Sequence, residues 1–138
     1  MQIELDRPHW QPAIERMGRA DLARLQAERL RTQVARALAS PFYRRLWQGV
    51  GPVDPADFRT PADVVRLPFL YKSDLVDAQL REPPLGDLPM SPAEVRREVY
   101  PVHVVGGSLY TVYGEQDLAR TAEIGARIMW GIGLRPGE

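Results

Sequence analysis

Residues 99–113 read VYPVHVVGGSLYTVY, and this stretch decides the class of fold. β-Branched and aromatic residues dominate it, a composition that favours strands over helices. Gly106 and Gly107 fall in its middle, and two adjacent glycines are a signal for a tight turn between paired strands. The stretch therefore predicts a β-hairpin from Val99 to Tyr113, which Gly114 ends.

Helices are predicted on both sides of this hairpin. After it, residues 115–132 carry apolar side chains along one face, and Gly133 is a typical helix-ending residue. Before it, Arg19 to Ala39 is rich in strong helix formers and contains neither Gly nor Pro. Four capping pairs each mark the start of a further helix: Ser40-Pro41, Thr60-Pro61, Ser73-Asp74 and Ser91-Pro92.

These elements predict an α+β fold. Residues 1–88 form its helical region, and residues 89–138 form a hairpin-plus-helix piece. A two-stranded hairpin is only marginally stable in water by itself. The hairpin is therefore expected to rest on more sheet, either within this chain or on another one.

Composition limits the classes of function. The 138 residues are 44% hydrophobic and 26% charged, with a formal net charge of +0. This balance suits a folded domain, or part of one, and argues against general binding to nucleic acids or membrane surfaces, which needs excess positive charge. Cysteine is absent, and two histidines are too few for a metal cluster without carboxylates. Neither a spanning apolar run nor a signal pattern is present, so a cytoplasmic location is expected.

Three segments, in order and spacing, resemble the amino-terminal portion of the phenylacetate–CoA ligase family of adenylate-forming enzymes. The first covers residues 15–44. The second, LPFLYKSDL at residues 67–75, is similar to the family's LPFTxKxDL, and the third runs from Asp117 to the terminal GLRPGE, similar to a helix that ends in GVRPGD. The resemblance implies part of an α/β ligase fold, and such ligases continue well beyond the matched region.

In that family, a loop of the form SSGTTGxPK holds the ATP phosphates with backbone amides and hydroxyls. The resemblance places this loop on residues 101–108 without a gap, but the family's serines and threonines are replaced there by proline and valines. It implies no catalytic residue, metal or cofactor on this chain alone, with ATP, Mg²⁺ and CoA bound only if a partner completes the ligase. The degenerate loop comprises Pro101, Val102, His103, Val104, Val105, Gly106, Gly107 and Ser108.

Several features admit two interpretations. Residues 106–108 could be a reduced phosphate loop, but a Gly-Gly-Ser run is also an ordinary hairpin turn, which is the interpretation we prefer. His103 could be a general base, yet no acid or nucleophile is placed beside it, and a strand histidine is expected. Lys72 could contact an anion or be a solvated side chain. Phe42-Tyr43-Arg44 with Trp47 is expected to be core, with an interface anchor as the alternative.

The predicted carboxy-terminal helix and hairpin lack a covering partner, so the chain is expected to associate with one. A different subunit is favoured over a second copy. Replacing Trp130 with a charged residue is predicted to dissociate that complex without unfolding the helical region. The expected contact residues are Met129, Trp130 and Ile132, for which core packing is the alternative, with Tyr110 and Tyr113 as second choice.

The resulting functional prediction is a non-catalytic accessory or structural subunit derived from this ligase type. Its partner would handle aromatic acids or their CoA thioesters, a substrate class that only the resemblance implies. The alternative is one piece of a split, AMP-forming aryl-acid–CoA ligase whose nucleotide site is completed by another chain. A truncated product is a third possibility.

Overall fold

A computed structural model describes residues 8–89, 98–104 and 107–135. The α+β class predicted from the sequence is confirmed, with helices before a single hairpin and one long helix after it. The helices are α1 (Pro12–Glu15), α2 (Arg19–Ala39), α3 (Pro41–Leu46), α4 (Lys72–Arg81) and α5 (Glu115–Gly131), with 3-10 turns at Gln48–Val50, Pro55–Asp57 and Pro61–Arg66. The strands are β1 (Glu98–Val104) and β2 (Gly107–Tyr113).

The core of the helical region lies under the apolar face of α2. Val34 of this helix packs with Trp47 and Phe58, both of which come from the chain that folds back over it. Half-buried leucines, valine, alanine and tyrosine close around these three side chains: Leu30, Ala37, Leu38, Tyr43, Leu46, Val53 and Leu67.

α3 is tied to the segment that follows α4. The Phe42 N–H donates to the Asp87 carbonyl at 3.0 Å, and the Ser40 hydroxyl donates to the Leu88 carbonyl at 2.8 Å. Arg45 adds a two-pronged ion pair with the Asp87 carboxylate. Phe42 is 1% exposed, Trp47 is also buried and Tyr43 is half-buried, so the prediction that this cluster is core is confirmed for its aromatic residues, whereas Arg44 is exposed.

Acidic side chains cap two of the short helices. The helix predicted after Thr60 begins there, but α4 begins at Lys72 with Tyr71 as its cap, which corrects the start predicted at Ser73, and the Ser40 side chain makes no capping hydrogen bond to α3. The Thr60 N–H donates to Asp63 Oδ2 at 2.7 Å, which lowers the pKa of the Asp63 carboxyl. The Tyr71 N–H donates to Asp74 Oδ2 at 2.8 Å in the same way at the start of α4. The helix after Thr60 is a 3-10 helix rather than an α-helix.

The predicted hairpin is confirmed, and its strands are antiparallel. The register pairs Val104 with Gly107 and Pro101 with Tyr110. Gly107 is therefore a paired strand residue, which corrects its prediction as half of the turn. Val105, Gly106 and the helix start predicted at Ser91 lie outside the described residues.

α5 ends close to the predicted position because a glycine follows it. Gly133 has a φ of 95°, a left-handed conformation that glycine adopts without strain. The Leu134 N–H then donates back to the Met129 carbonyl at 3.0 Å, which satisfies an otherwise open helix-end acceptor.

Polar contacts connect the hairpin and α5 to α4 and α2 of the helical region. Gln79 of α4 bonds to the backbone of Tyr110, and Arg36 Nη2 lies 3.8 Å from Asp117 Oδ1. The domain boundary predicted at residue 88 stays a prediction. Among the described helices, none combines the length and the apolar character that crossing a bilayer requires.

Candidate functional site

The described positions of the predicted phosphate loop lie in paired strands. Residues 101–104 belong to β1, and residues 107 and 108 belong to β2, with His103 opposite Ser108. Successive N–H groups along a strand point to opposite edges, whereas a phosphate cradle needs successive amides that converge on one point. The described backbone here is therefore that of a sheet.

A buried glutamine covers the outer edge of β2. Gln79 Nε2 donates to the Tyr110 carbonyl at 2.7 Å, and the Tyr110 N–H donates to Gln79 Oε1 at 2.9 Å. The side-chain amide thus makes the two bonds that a neighbouring strand would make. Gln79 was not singled out from the sequence, because a glutamine in a helix usually faces solvent.

The two other polar candidates belong to different elements. His103 is a strand residue of β1, and Lys72 is the exposed first residue of α4. Whether Lys72 contacts an anion stays a prediction. Within the described residues, no three His, Asp or Glu side chains come together as a metal ion would need.

Two tryptophans join the beginning of the described chain to its end. The rings of Trp10 and Trp130 have centroids 5.4 Å apart and are tilted by 54°. The Arg135 guanidinium lies 4.1 Å from the centre of the Trp130 ring and donates to the Trp130 carbonyl at 3.0 Å. We call this group, with Gln11, Glu123 and Arg127, the tryptophan clasp.

Polar contacts complete the clasp. Glu123 Oε1 accepts hydrogen bonds from Trp10 Nε1 and from Gln11 Nε2, and Arg127 Nη2 donates to Gln11 Oε1 at 2.6 Å. The sequence shows no periodic signal for this cluster, since residues 10 and 11 lie more than 110 residues from their partners in α5. The only local signal is the position of Trp10 between two prolines.

Trp130 is therefore not an exposed contact residue, which corrects one predicted interface position. Its side chain is 6% exposed because the clasp encloses it. Charging it would place an ion in that packed group and destabilise the chain itself, so the predicted clean dissociation no longer follows. The other four interface candidates remain accessible to different degrees.

An apolar stripe on α5 contains two of those candidates. Met129 is 50% exposed and Ile132 is 70% exposed, and Tyr110 is more exposed than the half-buried Tyr113. Two isoleucines that the sequence reasoning did not select lie beside them. We define the α5 stripe as Ile124, Ile128, Met129, Ile132 and Leu134.

A pocket of about 340 Å³ opens beside α2 and α3. Leu30, Val34 and Trp47 form apolar walls, and Arg36 is its charged lining residue. This guanidinium already faces Asp117, and neither a carboxylate nor a histidine lines the pocket. The described lining could bind an apolar group but offers no acid, base or strong nucleophile for catalysis.

Comparison with solved structures defines the class of protein. The whole chain superposes on a 2-hydroxyisobutyryl-CoA ligase in complex with 2-HIB-AMP and CoA, with a TM-score of 0.87 and 31% identity, and covers 29% of that chain. An open conformation of this ligase gives a TM-score of 0.83 with 32% identity. The fold is thus a segment of an adenylate-forming acyl-CoA ligase.

Sequence relatives narrow the class. The chain is 38% identical over 129 residues to a phenylacetate–CoA ligase of Thermus thermophilus, and 29% identical over 139 residues to one of Aromatoleum evansii. It matches a fragment of the phenylacetate–CoA ligase family. The matches cover 93% and 100% of this chain but only 28% and 30% of the relatives' lengths. No protein-family model matches the sequence.

Proposed function

We propose that the chain is a non-catalytic structural segment of a ligase-type assembly and does not bind ATP by itself. Its partner is a second polypeptide that handles aromatic acids or their CoA thioesters, a substrate class suggested by the relatives' names. The observation that carries this proposal is the paired backbone of β1 and β2 across the positions expected to hold phosphate.

The chemistry of these positions supports the same conclusion. Binding of ATP phosphates in such a loop relies on converging amides and on serine or threonine hydroxyls. Pro101 has no N–H, and the valines at 102 and 104 have no polar side-chain atom. Strand pairing uses about half of the remaining amides in the ladder, because alternate N–H groups face the partner strand.

We expect the isolated chain to show no saturable heat of binding when it is titrated with ATP and Mg²⁺ up to millimolar concentration. The physical reason is that a strand with proline and valine presents neither the donors nor the shape that a triphosphate needs. Isothermal titration calorimetry measures this directly, and an intact 2-hydroxyisobutyryl-CoA ligase serves as the control. A dissociation constant in the micromolar range would refute the proposal.

A second candidate function is one piece of a split acyl-CoA ligase. The TM-score of 0.87 over the whole chain favours it, because the ligase used in that comparison was crystallised with 2-HIB-AMP and CoA. A backbone so close to that of a liganded ligase could form one wall of a site that another polypeptide completes. ATP, Mg²⁺ and CoA would then bind only to the combined assembly.

Reconstitution separates these two functions. The chain is mixed with the part of the Thermus thermophilus relative that lies outside the match, and phenylacetyl-CoA formation from phenylacetate, ATP and CoA is measured. For a non-catalytic segment we expect no thioester above the background of the added polypeptide alone. Turnover that appears only when both polypeptides are present would favour the split ligase.

A further inference from the structure

The α5 stripe is an unusually uncharged surface for an exposed helix. Ile124, Ile128 and Ile132 follow one another at four-residue intervals, which aligns them along one side of α5. Every exposed residue between positions 121 and 134 is uncharged. The exposed face of α2, by contrast, carries arginines, glutamate and aspartate at many positions. Large apolar surfaces of this kind mark interaction sites.

The tryptophan clasp determines which side of α5 faces outward. The charged residues of α5 in this span, Glu123 and Arg127, are engaged with Gln11, and Trp130 packs against Trp10. The intramolecular side of the helix is thereby covered. The α5 stripe is left on the surface, although its side chains are large and apolar like those of a protein core.

The edges of the hairpin are less suited than the α5 stripe to binding another polypeptide. The outer edge of β2 is occupied at Tyr110 by Gln79, so an added strand could not bond there without displacing a buried side chain. The outer edge of β1 contains Pro101, directly opposite Tyr110, and proline supplies no N–H to an added strand. Both edges therefore resist strand addition, which needs a continuous row of backbone partners.

We propose that the α5 stripe, rather than a sheet edge, is the surface on which the remaining polypeptide of a ligase-type fold docks. This inference rests on the proposed function, in which such a partner exists. The length of the relatives indicates which polypeptide covers the stripe. The match covers only 28–30% of their length, so the greater part of each ligase lies outside it.

A chimera tests the inference. The 138 residues of this chain replace the 129 matched residues of the Thermus thermophilus relative, so that the rest of the ligase is held next to the stripe. In the chimera, Ile128→Glu should lower the thermal midpoint by roughly 4 °C or more, because docking would bury an unpaired charge. In the isolated chain, where Ile128 is 57% exposed, the same change should shift the midpoint by less than about 2 °C.

Ala23→Glu is the matched control, since it adds the same charge to an exposed position of α2, and it should leave the midpoint of the chimera within about 2 °C. The inference is overturned if Ile128→Glu has no larger effect in the chimera than Ala23→Glu, or if the unsubstituted chimera does not fold. It is also overturned if the isolated chain sediments as a dimer that Ile128→Glu dissociates, because the occupant would then be a second copy. None of these results alters the ATP titration, which tests the proposed function separately.

Discussion

Replacing Trp130 with alanine should lower the free energy of unfolding by about 3–5 kcal/mol, the usual cost of removing a large buried aromatic side chain. Trp130 is 6% exposed, packs against the tilted ring of Trp10 and contacts the Arg135 guanidinium. Its loss would leave a cavity between α5 and the segment that precedes α1. Urea denaturation followed by far-UV circular dichroism measures the change without relying on tryptophan fluorescence.

Met129→Ala is the control for this prediction. Met129 is the neighbouring residue of the same helix, but its side chain is half exposed and lies outside the clasp. We expect it to cost less than about 1 kcal/mol in the isolated chain. Equal losses at the two positions would mean that the clasp does not contribute to stability. If the clasp does contribute, the losses from Trp10→Ala and Trp130→Ala should not add in the double variant, because the two rings share one contact.

Gly86→Ala should destabilise the chain by about 2–4 kcal/mol, through two additive effects. Gly86 has a φ of 68°, where a side chain is strained. An added Cβ would also lie 2.8 Å from the carbonyl carbon of Ala78 and 2.9 Å from its oxygen. These atoms belong to the backbone of α4, so they cannot move aside as a flexible side chain could.

Gly51→Ala isolates the first of those effects. Gly51 has a φ of 81°, but no atom lies within 4 Å of the position that its Cβ would occupy. We expect a loss of only about 1 kcal/mol there, from backbone strain alone. Chemical denaturation of both variants measures the difference, and a cost at Gly86 no greater than that at Gly51 would show that the close approach to α4 is absent.

The local elements of this fold were predictable because local chemistry determines them. α2 begins at Arg19 and ends at Ala39 as predicted, and the helix marked by Thr60 begins there with Asp63 as its capping acid. The start of α4 was predicted at Ser73 and lies instead after Tyr71. The hairpin followed from its β-branched residues and central glycines. Its register pairs Gly107 with Val104. Residue preferences alone could not locate the turn to within one residue.

The candidate site was likewise predictable only in part. The replacement of hydroxyl residues at positions 101–108 is visible in the sequence, and so is the resemblance of the segment to a ligase. The two exposed isoleucines Ile124 and Ile128 were missed, because helical spacing alone does not tell which of two apolar faces is turned inward. That choice depends on Trp10, which lies more than 110 residues away from the residues it contacts.

The sequence by itself determined the order of helices and strands and the match of the segment to part of a ligase, because each depends on neighbouring residues or on a run of identities. Only the tertiary structure decided that Trp130 is internal, that Gln79 covers the edge of β2 and that the α5 stripe faces outward. Each of these results depends on contacts between residues distant in the chain. Such contacts form where shape and hydrogen-bonding partners match in space, and no local pattern encodes that match.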